Sequence, residues 1–205
     1  MKILHTADWH LGQTFYEYDR REEHFHFLEW LKQQIKQHEI DVLLIAGDVF
    51  DSPNPSAESQ RVYYRFLREV TSENPSLQIV IIAGNHDSAA RLEAPNPLLE
   101  DMNIIVRGTV RRNAEGDIDL QHFIVPLYTE GKVTAYCLAV PYLRQGDYPS
   151  AENYSKGVQQ LYEQLFNKVK EKGIPVVAMG HLQATGSEIS EDDRSERTVI
   201  GGLEC

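Results

Sequence analysis

The feature that most restricts this chain is a set of short segments that are apolar throughout, each ending at a residue able to bind a metal or move a proton. Asp41-Val42-Leu43-Leu44-Ile45-Ala46-Gly47 is the clearest, and Lys2 to Ala7, Gln78 to Gly84 and Val176-Val177-Ala178-Met179-Gly180 repeat the pattern. A strand with apolar side chains on both sides has to be covered on both sides, which is the condition of a parallel sheet inside an α/β fold. Helical periodicity fills the intervals. Phe25, Leu28, Leu31 and Ile35 recur at spacings of three and four within Arg20 to Glu39. Ser56, after Pro55, caps a helix running through Arg61 to Leu67, and a longer helix from about Ala151 to Lys172 stops at Gly173 before Pro175. The crossovers between such strands are right-handed. From Ile104 to Leu143 the strands shorten and turns multiply, with Asn113 to Asp117 as a hairpin tip, so antiparallel pairing is expected there. The charge-dense stretch Ser187 to Arg197 reads as a solvated loop.

Ligand-type residues follow these strands directly: Asp8 and His10 after the first, Asp48 after the second, Asn85 and His86 after the third, His181 after the fourth. The carboxyl ends of parallel strands lie along one edge of a sheet, so residues distant in sequence converge in one crevice. Asp8 and His10 are two apart, a spacing that on extended chain points both to the same side. A carboxylate beside an imidazole suits Mn, Fe or Zn better than Ca. Asp48, in Gly47-Asp48-Val49-Phe50-Asp51, has two oxygens with which to bridge a pair of ions, and Asp51 is placed to orient a ligand. Asn85 adds an uncharged carbonyl oxygen, and His86 is placed to contact a phosphate. Asp-x-His, Gly-Asp and Gly-His alone are each more often a polar turn than a site, and Gly-Asn-His-Asp is as often one as the other; their conjunction in order is what carries weight.

The chain has 205 residues, of which 41% are hydrophobic, enough for one domain with its own core. No apolar run approaches the ~20 residues needed to span a bilayer, and the start is unlike a signal peptide, so a cytoplasmic protein is expected. Cys137 and Cys205 show neither metal-finger nor redox spacing and read as free thiols. The formal net charge of −11 argues against a free-standing nucleic-acid binder, because affinity for phosphate backbones comes largely from Lys and Arg. Bound divalent metals or a basic partner would have to supply positive charge.

Asp8-x-His10, Gly47-Asp48-x-x-Asp51, Gly84-Asn85-His86-Asp87 and Gly180-His181 together resemble the calcineurin-like metallophosphoesterases. The segments HTADWHLGQ, IAGDVFDSPNPS, IIAGNHDS and AVPYLR are similar to a DNA-processing nuclease branch of that family, and the likeness spans nearly the whole chain. What the resemblance implies is an α/β fold of the metallophosphoesterase type, a β-sandwich with helices on both outer faces, mixed sheets and a parallel core. It also implies two divalent metal ions, Mn²⁺ by family habit. Asp8 and His10 would hold one ion and Asn85 and His181 the other, with Asp48 bridging. His86 would act on the scissile phosphate or leaving oxygen, with Asp87 orienting it. The implied activity is exonuclease on duplex ends and endonuclease on single strands or hairpins, in DNA repair and recombination. The implied partners are DNA, an ATPase subunit and a second copy of the chain.

One part of the family pattern is missing: no histidine follows His181, so the closing Gly-His-x-His has no counterpart. The terminal IGGLEC resembles the approach to that motif, which implies a chain cut short before it and before the family's C-terminal capping region. His24 and His26 cannot stand in, because residues two apart on a helix face opposite ways; His5, His38 and His122 are expected to be structural or exposed. Two other readings stay open. One keeps the metals and changes the substrate to a small phosphodiester, nucleotide or phosphoprotein; the other is a silent binding or assembly module. At the surface, Tyr63, Tyr64, Phe66, Leu67, Leu98 and Leu99 are candidates for a dimer contact or for core. Arg107, Arg111 and Arg112 are candidates for phosphate contact or solvated surface, and Phe15-Tyr16-Glu17-Tyr18 for substrate contact near the metals.

Overall fold

The computed structural model describes residues 1–182. The stretch Ser187 to Arg197, the IGGLEC segment and Cys205 lie outside the described residues. In chain order the elements are β1 (Ile3–Thr6), a hairpin of β2 (Thr14–Phe15) and β3 (Tyr18–Asp19), α1 (Arg21–His38), β4 (Val42–Ala46), α2 (Ala57–Glu73) and β5 (Gln78–Ile82). Then come two short helices, α3 (Ala89–Glu93) and α4 (Asn96–Leu99), β6 (Ile104–Arg107), β7 (Ile124–Thr129), β8 (Lys132–Ala139), α5 (Tyr154–Val169) and β9 (Val176–Met179).

The first sheet runs β1-β4-β5-β6 and is parallel at every pairing. The second runs β7-β8-β9, antiparallel between β7 and β8 and parallel between β8 and β9. Alternation along β4 explains how the layers stack. Leu43 and Ile45 pack with Leu28, Leu31 and Ile35 of α1 and with Phe66, Leu67 and Val70 of α2. Val42, Leu44 and Ala46 face the other way and meet Val125, Leu127, Ala135, Cys137 and Ala139 of the second sheet. The far side of that sheet is covered by Val158, Leu161, Leu165 and Val169 of α5. The result is helix, sheet, sheet, helix: a sandwich with a parallel core and helices on both outer faces.

Several details differ from the sequence expectation. Ile104–Arg107 is a parallel edge strand of the first sheet rather than the start of an antiparallel region, and antiparallel pairing begins only with β7. β9, which carries His181 at its end, belongs to the second sheet. On α1, His24 is buried and Phe25 is 47% exposed, so the inward stripe begins one residue earlier than the apolar spacing suggests. Tyr63, Phe66, Leu67 and Leu99 are core residues, none more than 5% exposed, and offer no dimer contact. Arg107 donates to the carbonyls of His122 and Val106, Arg111 pairs with Glu93, and Arg112 donates to the carbonyls of Gly116 and Gly146. All three are therefore engaged within the protein. Cys137 is a buried free thiol. Among the described residues no helix is long and apolar enough to cross a membrane.

Candidate metal centre

Three loops leave the ends of β1, β4 and β5 side by side, and the backbone beyond β1 and β4 is bent sharply where side chains turn into one crevice. Asp8, His10 and Asp48 adopt left-handed φ values of 57°, 44° and 49°, which non-glycine residues reach at a cost and which concentrate at functional sites. The first two loops hold one another: the Asp8 amide donates to the Gly47 carbonyl at 3.1 Å, His10 to Asp48 at 2.9 Å and Leu11 to Val49 at 2.9 Å. Glycines make the approach possible. A Cβ on Gly84 would collide with Asp48 Oδ1 and the Asp48 amide, and one on Gly47, at φ 92°, would collide with the His181 ring.

Asp48 is the hub. Its carboxylate is almost wholly buried, Oδ1 accepts the His86 amide at 2.9 Å, and Oδ2 stands 3.6 Å from His10 Nε2 and 3.5 Å from His181 Nε2. Both histidines are held from behind. His10 Nδ1 lies 3.2 Å from Asp51 Oδ1, and His181 Nδ1 lies 2.9 Å from the Ala46 carbonyl. Nδ1 pinned by an oxygen acceptor fixes the tautomer that leaves Nε2 free to coordinate, a device typical of metal-binding histidines. Asn85 Oδ1 sits 2.9 Å from His181 Nε2. His86 packs edge to face on His10, with ring centroids 4.9 Å apart, and its Nδ1 is 3.0 Å from the Asp51 carbonyl.

Two sets of ligand atoms each lie within 4.8 Å of one another: Asp8, Asp48 and His181, and His10, Asp51 and His86. Mixed carboxylate and imidazole donors, with both Nε2 atoms converging on one buried carboxylate, fit a pair of divalent transition-metal ions. The electrostatics agree with a site built for positive charge. Loss of water and the neighbouring Asp48 raise the Asp8 carboxyl above its usual value, against the pull of His181, His10 and His86. Burial works to raise Asp48 as well, but hydrogen bonds from His181 and the His86 amide bring it below the ordinary carboxylate range. His181, despite burial, is pushed up to about 9 by Asp48, the Ala46 carbonyl and Asp8. A proton on Nε2 thus does part of what a cation there would do.

Asp8, His10, Asp48, Asp51, Asn85, His86 and His181 come to this crevice, with Asn85 and His181 paired as expected. Asp8 groups with Asp48 and His181, and His10 groups with Asp51 and His86 while staying beside Asp48. Asp87 is a correction: its side chain does not orient His86. It is 2% exposed and accepts the amides of Val49 (3.2 Å), Phe50 (3.0 Å) and Gly84 (2.9 Å), so it ties the second loop to the third. The group behind His86 is the Asp51 carbonyl, which sequence cannot display because every residue has one. Tyr142 stands in the sequence only as part of the AVPYLR likeness, with no ligand-type side chain to place it here, yet its ring lies 6.3 Å from that of His181.

Residues 1–201 match the calcineurin-like phosphoesterase family. The chain is 41% identical over 214 residues to the D subunit of nuclease SbcCD from Rhodobacter capsulatus, an alignment covering 98% of this chain and 52% of the relative. It is 31% identical to the protein of the same name from Escherichia coli K12 (100% and 52% covered) and 29% identical to that of Bacillus subtilis (95% and 50% covered). The chain spans about half the length of the curated relatives it matches. Match, fold and convergent strand ends agree, and the chain belongs to the calcineurin-like phosphoesterase family.

Proposed function

We propose that this chain carries the catalytic residues of a metal-dependent DNA nuclease of the SbcCD type. The observation behind this reading is the buried Asp48 carboxylate, which stands between two Nε2 atoms contributed by different sheets. In this reading Asp8, His10, Asp48, Asn85 and His181 would hold two divalent ions, Mn²⁺ in the cell. Asp51 orients His10 through Nδ1. When bound, the ions supply the charge that polarises a phosphodiester and acidifies the attacking water. His86, its Nδ1 engaged by the Asp51 carbonyl, keeps Nε2 for the substrate and in its protonated form donates to the leaving oxygen. Asp87 is not a proton carrier here; it holds the loops in register.

The substrate is DNA, cut by exonuclease action on duplex ends and endonuclease action on single strands or hairpins, in repair and recombination in the cytoplasm. With a net charge of −11 the chain needs help to hold a polyanion, and an SbcC-type ATPase, with a second copy of this chain, supplies it. The same charge favours a second reading, a phosphoesterase of a small phosphodiester or nucleotide.

Incubation of end-labelled single-stranded and duplex DNA with Mn²⁺ tests the proposal. Cleavage is expected from the wild-type chain and a loss of at least about a hundredfold from Asp48→Ala. Equal cleavage by the two proteins, or hydrolysis of bis(4-nitrophenyl) phosphate without cleavage of DNA, would overturn the nuclease reading, and the latter would establish the second one.

A further inference from the structure

The AVPYLR segment, Ala139 to Arg144, contributes no metal ligand, yet it lies against the metal centre. Its backbone crosses from one sheet to the other: the Val140 amide donates to the Met179 carbonyl at 3.2 Å, and the Tyr142 amide donates to the Ala83 carbonyl at 2.8 Å. These contacts place Tyr142 between the ends of β9 and β5, the strands that deliver His181 and Asn85. The Tyr142 ring meets the His181 ring nearly edge on, at an interplanar angle of 75°. The Arg144 guanidinium lies over the same ring, 5.6 Å from the centroid. The Tyr142 ring thus meets both His181 of the crevice and the exposed Arg144.

What Arg144 lacks is equally informative. Asp147 is close, but its carboxylate accepts the Arg144 amide at 2.8 Å, within a turn closed by the Asp147 amide and the Arg144 carbonyl at 2.9 Å. Among the described residues no carboxylate lies within ion-pair distance of the guanidinium. Arg107, Arg111 and Arg112 all have partners within the protein. In a chain so rich in acid, an exposed arginine held by an aromatic ring rather than by a carboxylate keeps its donors for an external anion. A guanidinium offers a planar fork matched to two phosphate oxygens, and cation–π support holds it without neutralising its charge.

We infer that Arg144 contacts a phosphate of the nucleic-acid strand on the His181 side of the metal centre, and that Tyr142 is the positioning residue that holds the arginine there. This rests on the nuclease reading and adds to it a strand contact outside the metal ligands.

The test uses the full chain and a fluorescein-labelled single-stranded oligonucleotide. Polarisation in metal-free buffer over a range of NaCl gives affinity and its salt dependence; in Mn²⁺, kcat and KM are measured on the oligonucleotide and on bis(4-nitrophenyl) phosphate. Arg144→Gln is expected to weaken oligonucleotide binding about five- to tenfold at low salt and to lower the slope of log K against log salt by about 0.7. The ratio of kcat/KM for oligonucleotide to that for the small diester should fall by a similar factor, mainly through KM. Arg144→Lys should restore the slope but only part of the affinity, and Tyr142→Leu should weaken binding in the same direction. Wild-type affinity and slope in Arg144→Gln, an unchanged substrate ratio, or no measurable binding by the wild-type chain would each overturn the inference. If the wild-type chain hydrolyses neither substrate the nuclease reading fails, while the binding arm still decides Arg144.

Discussion

The Asp87 carboxylate accepts three backbone amides from two loops while itself nearly inaccessible to water. Its removal leaves three buried donors without partners, and each orphaned donor costs roughly 1–3 kcal/mol. Asp87→Ala is therefore expected to lower unfolding stability by about 3 kcal/mol or more, read from urea denaturation monitored by tryptophan fluorescence; a loss below about 1 kcal/mol would contradict the bracing role. Asp48 and His86 show the complementary arrangement, a side chain of the second loop accepting an amide of the third. Together the two carboxylates interlock the loops, one from each side. At this scale sequence is only partly legible. The metal-type residues stand out because Asp, His and Asn after apolar strands are unusual, whereas whether a carboxylate serves an ion or a backbone amide depends on where loop donors fall in space. Asp87, next to His86 in sequence, reads as its neighbour's partner for lack of that information.

Among the elements, α2 shows how local sequence fixes a boundary. Ser56 adopts an extended backbone, and its Oγ accepts the Ser59 amide at 3.0 Å, satisfying one of the donors that a helix start leaves free. Ser56→Ala is expected to cost about 1 kcal/mol in urea denaturation with no change in cooperativity. A cost near zero would mean that packing of Tyr63, Phe66 and Leu67 alone sets where the helix begins. This cap, the Gly173 stop and the four parallel strand segments are all readable from composition and order. β6 is not. Its burial alternates, as expected of a strand near the rim of a sheet, and alternation does not tell a parallel edge from an antiparallel one; the partner, β5, decides it. His24 escapes for a similar reason: polar side chains are counted as outward by default, but helix geometry turns residue 24, not the aromatic at 25, toward the core.

For the whole molecule, a buried polar cluster away from the metal centre ties α3 to the β6 end and to the turn before β7. Glu93 accepts the Gly108 and Thr109 amides, the Thr109 hydroxyl and Arg111, with His122 Nε2 3.6 Å away. Burial, then the cations Arg107 and Arg111, hold His122 down to about 4, against the opposing pull of Glu93 and Asp119. The unfolded chain, with an ordinary histidine value near 6.5, binds the proton first on acidification. Stability from this residue is therefore complete above about pH 6.5 and is lost as pH falls toward 4, by roughly 2–3 kcal/mol at the limit. Glu93 adds to the trend: burial would raise its carboxyl, but Thr109 and Arg111 bring it below its ordinary value, so its contribution holds above that value and fades as pH falls through the depressed one. Urea midpoints between about pH 7 and 4 should drop less steeply in His122→Gln than in wild type; parallel curves would rule out the histidine as the source. A different consequence follows from β9 lying in the second sheet while its terminal histidine hooks the Ala46 carbonyl of the first. In the proposed centre the two halves of the sandwich would share a single set of ligands across their seam, so neither half could loosen by itself and leave the centre intact. Occupation of the centre by ions must then count as cohesion between the layers, and local breathing of one sheet becomes, by linkage, a change in ion affinity.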